Sequence, residues 1–278
     1  VRVSWHSLFA FVALVIGSLL SIRLSRRLIK DQRVYLYALA VILGGLVAAR
    51  IAHMVDNPLL YGGDVAKMLA LSGGIGTVGA PLGSTISGYL AARILRLPRG
   101  FMFDITVVGI ALGEAIGRIG DIINGEHHGI ACAPPLGLCA SYSSPLTLGQ
   151  ATPVHFIGLY DCLLMAGIFV VLWVCWHRIR GHPPEGRVWA LYLVLFGLGR
   201  FLESFVRQDP VVALGLQEAH FLGLAYAFSG RLLPGLGAPP KRKQAHSGGP
   251  AALAHVFAKR PREPPQRAKP LPKTVSER

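Results

Sequence analysis

The chain has 278 residues, 52% of them hydrophobic and only 15% charged, with a formal net charge of +14. This balance excludes a disordered chain, a collagen or a disulfide-framework miniprotein. It also fits a soluble enzyme poorly, since such proteins carry about 25% charged residues. The excess charge is concentrated: Arg231–Arg278 holds eleven Lys/Arg against two Asp/Glu, among many Pro, Gly and Ala and without apolar periodicity. That composition predicts a disordered tail over 231–278. After a last membrane span it would meet anionic lipid head groups, so no nucleic-acid partner is expected.

In chain order, apolar runs recur at Trp5–Ile22, Val34–Val55, Met68–Ala92, Phe101–Ile116, Val154–Trp176, Val188–Phe205 and Leu214–Gly230. Most approach the roughly 20 residues a helix needs to cross hydrocarbon. The seventh is the weakest, because Gln217, Glu218 and His220 crowd its start. The first is expected to be a retained span rather than a signal peptide, because Arg23, Arg26 and Arg27 follow it rather than precede it.

Basic residues fill alternate connections: Arg23 to Arg33, then Arg93, Arg96 and Arg99, then Arg178, Arg180 and Arg187, then the tail. Between Ile119 and His177 there is no Lys or Arg. The positive-inside rule therefore predicts an N-terminus outside and a C-terminus in the cytoplasm. The expected fold is an all-α integral membrane protein of about seven transmembrane helices over residues 1–230, with an extracytoplasmic loop at 121–152 and a cytoplasmic tail. Cys132 and Cys139 fall in that loop; they pair in an oxidising compartment or remain two free thiols.

Small residues repeat every four positions at Gly109, Gly113 and Gly117, and at Gly79, Gly83 and Ser87, a spacing that lets membrane helices approach closely. The run Ser72–Pro81 is too glycine-rich for a comfortable helix, and irregular backbone at that depth is tolerated where it lines a cavity.

Ionisable residues within spans cost about 2.5–3.5 kcal/mol each on insertion scales, so several together call for a reason. Arg50 and His53, Glu114 and Arg118, His155 and Asp161, Arg200, Glu203 and Arg207, and His6 are all expected toward the outer side of the bilayer. The arginine fork suits phosphate, which makes a phospholipid head group the first candidate ligand, with a peptide carboxylate or a transported solute as alternatives. The densest set is Gly117–Gly129, with Arg118, Asp121, Asn124, Glu126, His127 and His128 within thirteen residues. Its chemistry suits acid/base work and phosphate holding. A metal site is not expected, because adjacent histidines do not share a helix face and no second ligand pair has suitable spacing.

Gly117–Gly129 resembles the signature of the bacterial prolipoprotein diacylglyceryl transferases, with Arg118, Gly120, Asn124, Glu126 and Gly129 in register. Trp5, Arg50 ahead of Asn57-Pro58, the Ser72–Gly83 turn, His155 with Leu159-Tyr160-Asp161, and Gly199-Arg200 through Arg207-Gln208 are similar to further family segments in the same order. The resemblance covers about residues 5–230. It implies a bacterial plasma-membrane, multi-pass enzyme without a cofactor. Such an enzyme transfers the diacylglyceryl group of phosphatidylglycerol to the lipobox cysteine of prolipoproteins, forming a thioether. Phosphatidylglycerol, the prolipoprotein signal-peptide lipobox and membrane lipids are the implied partners.

By the same resemblance, Arg118 and Arg200 hold the head-group phosphate, and Asn124, Glu126 and Gly129 shape its site with Arg207 in support. Arg50, Asp121 and Glu203 complete the expected binding set. The chain departs from the family at Val78, where a histidine is usual, at Asp121 in place of asparagine, at His6 in place of tyrosine and at Ser204, with Glu203 one position early. His6 and His155 are the candidates to replace the missing base, with Glu126 a further acid/base candidate. The alternative is a non-catalytic or altered-specificity paralogue that binds an anionic phospholipid.

Overall fold

The computed structural model describes residues 5–64, 67, 79–133, 137–144, 146–179 and 184–236. Val78, most of the Ser72–Pro81 run and the basic tail from residue 237 onward lie outside the described residues, while residues 231–236, expected to be disordered, continue the last helix. The protein is mostly helical. The long helices are α1 (Trp5–Leu28), α2 (Arg33–Asp56), α3 (Gly79–Ile94), α4 (Arg99–Asn124), α5 (Ile157–Ile179), α6 (Arg187–Glu203) and α7 (Glu218–Leu236). Among the described residues, α1, α2, α4, α5 and α6 (the last continued to Val206) are long and apolar enough to cross a membrane. Their outward faces carry large apolar side chains in the open: Phe11, Leu19, Leu39, Val47, Leu163 and Val170 are all exposed. Continuous apolar surface of this kind is rare on soluble monomers and suits helices bathed in lipid.

The helices pack chiefly as α1 on α4, α2 on α3 and α6 on α7, with α5 against α4 and α6. Without a hydrophobic drive between helices in lipid, close backbone approach supplies much of the adhesion. Glycine makes that approach possible here: a Cβ on Gly109 would run into the carbonyl of Gly17, one on Gly83 into Gly44 and Ala48, and one on Gly197 into Gly223. The principal core lies where α4, α5 and α6 meet, around Ile105, Val108, Met165, Leu172, Trp176 and Val188.

Several boundaries differ from the sequence reading. α4 runs to Asn124 instead of ending near Ile116, so the first half of the signature is helical and the loop begins at Gly125. Gly117 extends the four-residue glycine repeat of Gly109 and Gly113, a helix-packing spacing. Gly120 lies where α1 crosses α4, and a Cβ there would press on Trp5 O and Phe9. The helix stops at Gly125, whose left-handed φ of 71° lets its N–H return to Asp121 O.

α5 begins at Ile157, which leaves His155 in a strand ahead of it. The all-α expectation also needs amending for two small antiparallel pairs. β1 (Cys139–Ala140) pairs with β2 (Val154–His155), and β3 (Val211–Ala213) pairs with β4 (Leu216–Gln217). Leu214 and Gly215 both take positive φ between β3 and β4, as a tight hairpin requires. The loop between α4 and α5 is stapled by a Cys132–Cys139 disulfide with a Cα–Cα distance of 5.7 Å.

Candidate functional site

The polar residues flagged inside the spans gather at one end of the bundle, where α4 and α6 end and α1 and α5 begin. Their centre is Asp161, in the second turn of α5 and 4% exposed. Three guanidiniums point at its carboxylate: Arg118 Nη1 lies 3.5 Å from Oδ2, Arg207 Nη1 3.4 Å from Oδ2 and Arg200 Nη1 3.9 Å from Oδ1. Arg118 comes from the C-terminal part of α4, Arg200 from the last turn of α6, and Arg207 directly follows the 3₁₀ turn Ser204–Val206 after α6. One carboxylate has about four acceptor positions, whereas three arginines carry fifteen donor hydrogens.

Most of that donor capacity is unspent. Among the described residues, Arg118 uses Nη1 toward Asp121 Oδ2 (2.9 Å) and His127 Nε2 (2.8 Å), and no side-chain hydrogen bond is made by Arg200. Arg200 has only loose ion pairs, at 3.9 Å to Asp161 and 3.6 Å to Glu203 Oε2. Both carboxylate oxygens of Glu203 are buried without an N–H donor among the described residues, and the side chain meets the Asp161 carboxyl in a carboxyl–carboxyl contact. A buried group of this kind left loosely paired is costly unless a ligand or water completes it.

Arg207 is held hardest. It is 5% exposed, its Nε donates to Asp209 Oδ2 (2.9 Å), and its carbonyl accepts from Gln217 Nε2 (2.8 Å). The backbone bridges antiparallel to Gly129, flanked by Ile130 N to Val206 O (3.0 Å) and Gln208 N to His128 O (2.9 Å). Those bonds tie the signature loop to the segment after α6. Gly129 is required there, because a Cβ would collide with His155 O.

The second half of the signature folds back over the cluster. Asn124 Nδ2 donates to Glu126 Oε1 (2.6 Å), and Glu126 N bonds Asp121 O (3.1 Å). His127 stands between two arginines, with Nε2 2.8 Å from Arg118 Nη1 and Nδ1 3.2 Å from Arg207 Nη2. A neutral imidazole accepts through one nitrogen only, so at most one of these contacts is a hydrogen bond. His127 also holds a left-handed φ of 67°, uncommon for a residue with a side chain and typical of a position fixed by its site. His6, on the first turn of α1, places Nδ1 2.6 Å from Asp121 Oδ1 and 3.0 Å from Glu126 Oε2.

The structure thus brings together His6, Arg118, Asp121, Asn124, Glu126, Arg200, Glu203 and Arg207, with Gly129 at the backbone bridge. Arg50 and His155 are held by other partners. Arg50 is buried on α2, donates to Lys67 O (2.5 Å) and lies over the Tyr61 ring at 5.0 Å. His155 Nδ1 faces Tyr160 Oη at 3.2 Å, and that hydroxyl donates to Leu138 O (3.0 Å). His155 also lines a small cleft with Glu126, His127 and Tyr142.

In the sequence Asp161 stands out only as an outer-side ionisable residue and His127 only as a member of the Gly117–Gly129 set, neither with a role of its own. The available signal for Asp161 was charge balance: a carboxylate in a span with three arginines elsewhere at the same depth. Donor atoms of His6, Asp121 and Glu126 lie within 4.8 Å of one another, close enough for a cation. The His6 nitrogen in that set already faces both carboxylates at hydrogen-bond distance, and Arg118 stands beside Asp121. The arrangement as found is a hydrogen-bonded one.

A family model for prolipoprotein diacylglyceryl transferase matches residues 1–233. The chain belongs to that family. Curated relatives agree. A phosphatidylglycerol–prolipoprotein diacylglyceryl transferase of Clostridioides difficile (strain 630) is 28% identical over 232 residues, covering 83% of this chain and 89% of its own length. One from Synechococcus elongatus is 30% identical over 233 residues, covering 81% of each chain. One from Gloeobacter violaceus is 27% identical over 227 residues, covering 80% of this chain and 84% of its own. The chain is therefore a multi-pass membrane protein of a transferase family. The matched span takes in every residue of the arginine cluster and stops short of most of the basic tail.

Proposed function

We propose that this protein transfers the diacylglyceryl group of phosphatidylglycerol to the lipobox cysteine of prolipoproteins, at the extracytoplasmic side of a bacterial plasma membrane. The observation that carries the reading is the set of three arginines from separate segments, converging at one end of a membrane bundle with donors to spare. A phosphodiester head group supplies the acceptors that Asp161 alone does not. The seven-span arrangement, with the N-terminus outside and residues 231–278 in the cytoplasm, is part of the proposal and rests on loop charge. In its support, the basic connections lie together at the other end of the bundle, where Arg33 Nη1 donates to Leu95 O (2.7 Å).

In the reaction, the thiolate sulfur attacks the glyceryl carbon next to the phosphate oxygen. A C–S bond forms, the C–O bond breaks, and glycerol phosphate leaves with the electron pair. Charge grows on the leaving phosphate, so arginines already in place stabilise the transition state more than the ground state. Arg118 and Arg200 hold the phosphate. Arg207, Asn124, Glu126 and Gly129 fix the loop over it, and Glu203 orients Arg200. Asp121 spends its charge on His6 and Arg118, so it does not stand unpaired against the ligand.

The test is full-length protein in nanodiscs of phosphatidylglycerol or of phosphatidylcholine, given a lipobox peptide and read by peptide mass. Diacylglyceryl adduct is expected only with phosphatidylglycerol. No adduct in that lipid, with the lipid retained by the protein, would leave a phospholipid-binding paralogue in place of the enzyme.

A further inference from the structure

Lipobox thiols are weak nucleophiles until deprotonated, with a pKa of about 8.5, and His127, the imidazole inside the phosphate clamp, has both ring nitrogens facing guanidiniums. His6 stands beside the clamp in a distinctive position. Its Nδ1 lies 2.6 Å from Asp121 Oδ1 and 3.0 Å from Glu126 Oε2. Ionised carboxylates only accept hydrogen bonds, so a neutral His6 facing them carries its proton on Nδ1 and its lone pair on Nε2. Among the described residues no hydrogen bond is made to that Nε2.

The burial is graded in the same sense. The Asp121 side chain is 3% exposed and that of His6 46%, so a fixed buried carboxylate backs an imidazole that reaches the bundle surface. The other Asp121 oxygen, Oδ2, accepts from Arg118 Nη1 at 2.9 Å. One carboxylate therefore ties the imidazole to the phosphate-holding guanidinium. The close approach of α1 to α4 at Gly120 creates the contact, because a side chain there would push Trp5 and His6 away.

Building on the transferase reading, we propose that His6 is the catalytic base for the acceptor thiol and that Asp121 is its positioning residue. Nε2 takes the thiol proton as sulfur bonds to the glyceryl carbon. The C–O bond to the phosphate breaks and the electron pair leaves with glycerol phosphate, to which the imidazolium then returns the proton. Asp121 fixes the tautomer and steadies the imidazolium, as a carboxylate does behind the histidine of a hydrolytic triad. The charged and titratable groups around His6 are Asp121, Glu126 and, through Asp121, Arg118 and His127.

The experiment uses full-length protein in phosphatidylglycerol nanodiscs with a lipobox peptide, from pH 6.5 to 9.5. It compares wild type with His6→Gln, Asp121→Asn and Arg118→Ala, and lipid retention is measured for each. General-base removal typically costs about 10²–10⁴-fold, so His6→Gln is expected to lose about 100-fold near pH 7 while retaining lipid. Its deficit should shrink at least tenfold toward pH 9.5, where the thiol ionises unaided. Asp121→Asn should show a smaller loss with the same recovery, and Arg118→Ala no recovery.

His6→Gln at the wild-type rate throughout overturns the proposal. So does a loss equal at every pH, or a loss that follows lipid release, since either marks a structural role. Activity removed by chelator and restored by zinc alone would also overturn it, because the three donors would then be holding a cation. Wild type without product overturns the transferase reading itself, an outcome distinct from an active wild type indifferent to His6.

Discussion

Both ends of the helix bundle are rich in arginine, and they use it in opposite ways. At the end formed by the first and third connections, pairing is exposed. Arg33, 44% exposed in its side chain, meets Asp31 two residues away at 2.6 Å; Arg26 donates to Tyr35 Oη and Arg99 to Tyr89 Oη. Such contacts hold little and are screened by salt; in the proposed topology these arginines keep their loops on the cytoplasmic side. At the other end Arg118 from α4 and Arg200 and Arg207 from α6 and its continuation share one buried carboxylate on α5. Assembling charges in that way costs desolvation and gives no assured stability. The comparison teaches that residue type alone says little here. Burial separates the arginines proposed to set topology from those proposed to hold a ligand.

That contrast can be broken most directly by truncation. Arg118→Ala and Arg200→Ala should each lower thioether formation by about 10²–10³-fold or more, as loss of preplaced transition-state donors does. Arg33→Ala and Arg99→Ala should stay within about twofold in the same assay, because exposed ion pairs contribute little. Asp161→Ala removes the acceptor around which three cations assemble. Leaving buried charge uncompensated costs about 3–5 kcal/mol, so thermal unfolding in nanodiscs should show a large drop in Tm.

Arg200→Lys keeps the charge and loses the fork. A lost charge-assisted hydrogen bond of about 1.5–3 kcal/mol predicts a ten- to hundredfold slower transfer. Gly120→Val should push α1 off α4 and cut activity about tenfold, within the 1–3 kcal/mol range of overpacking, with the lipid still bound. Among the variants at the arginine-cluster end, His155→Phe should have the smallest effect, about threefold, in line with the loss of one neutral hydrogen bond of about 0.5–1.5 kcal/mol to Tyr160. A larger loss from His155→Phe than from His6→Gln would reverse the ranking of the two histidines.

Much of this end of the molecule was legible in the sequence, for reasons of length and charge. Apolar runs near 20 residues declare themselves, and an arginine inside one is conspicuous. Helix ends were less legible. The apolar run gives out near Ile116, yet α1 packs on Gly120 and α4 continues to Asn124. Strands of two or three residues, such as Val154–His155, carry too few positions for an alternating pattern. The role of Asp161 was hidden because its partners lie on other segments, and nothing local marks which arginine will turn toward it. His6 beside Asp121 was hidden likewise, being a contact 115 residues apart in the chain.

The central claim is that the converging arginines hold the phosphate of phosphatidylglycerol. Native mass spectrometry of detergent-purified protein, comparing lipid retained by wild type, Arg200→Ala and Arg33→Ala, tests it most directly. Phosphatidylglycerol retained by wild type and Arg33→Ala and lost from Arg200→Ala is the predicted result. Equal retention by all three would contradict it.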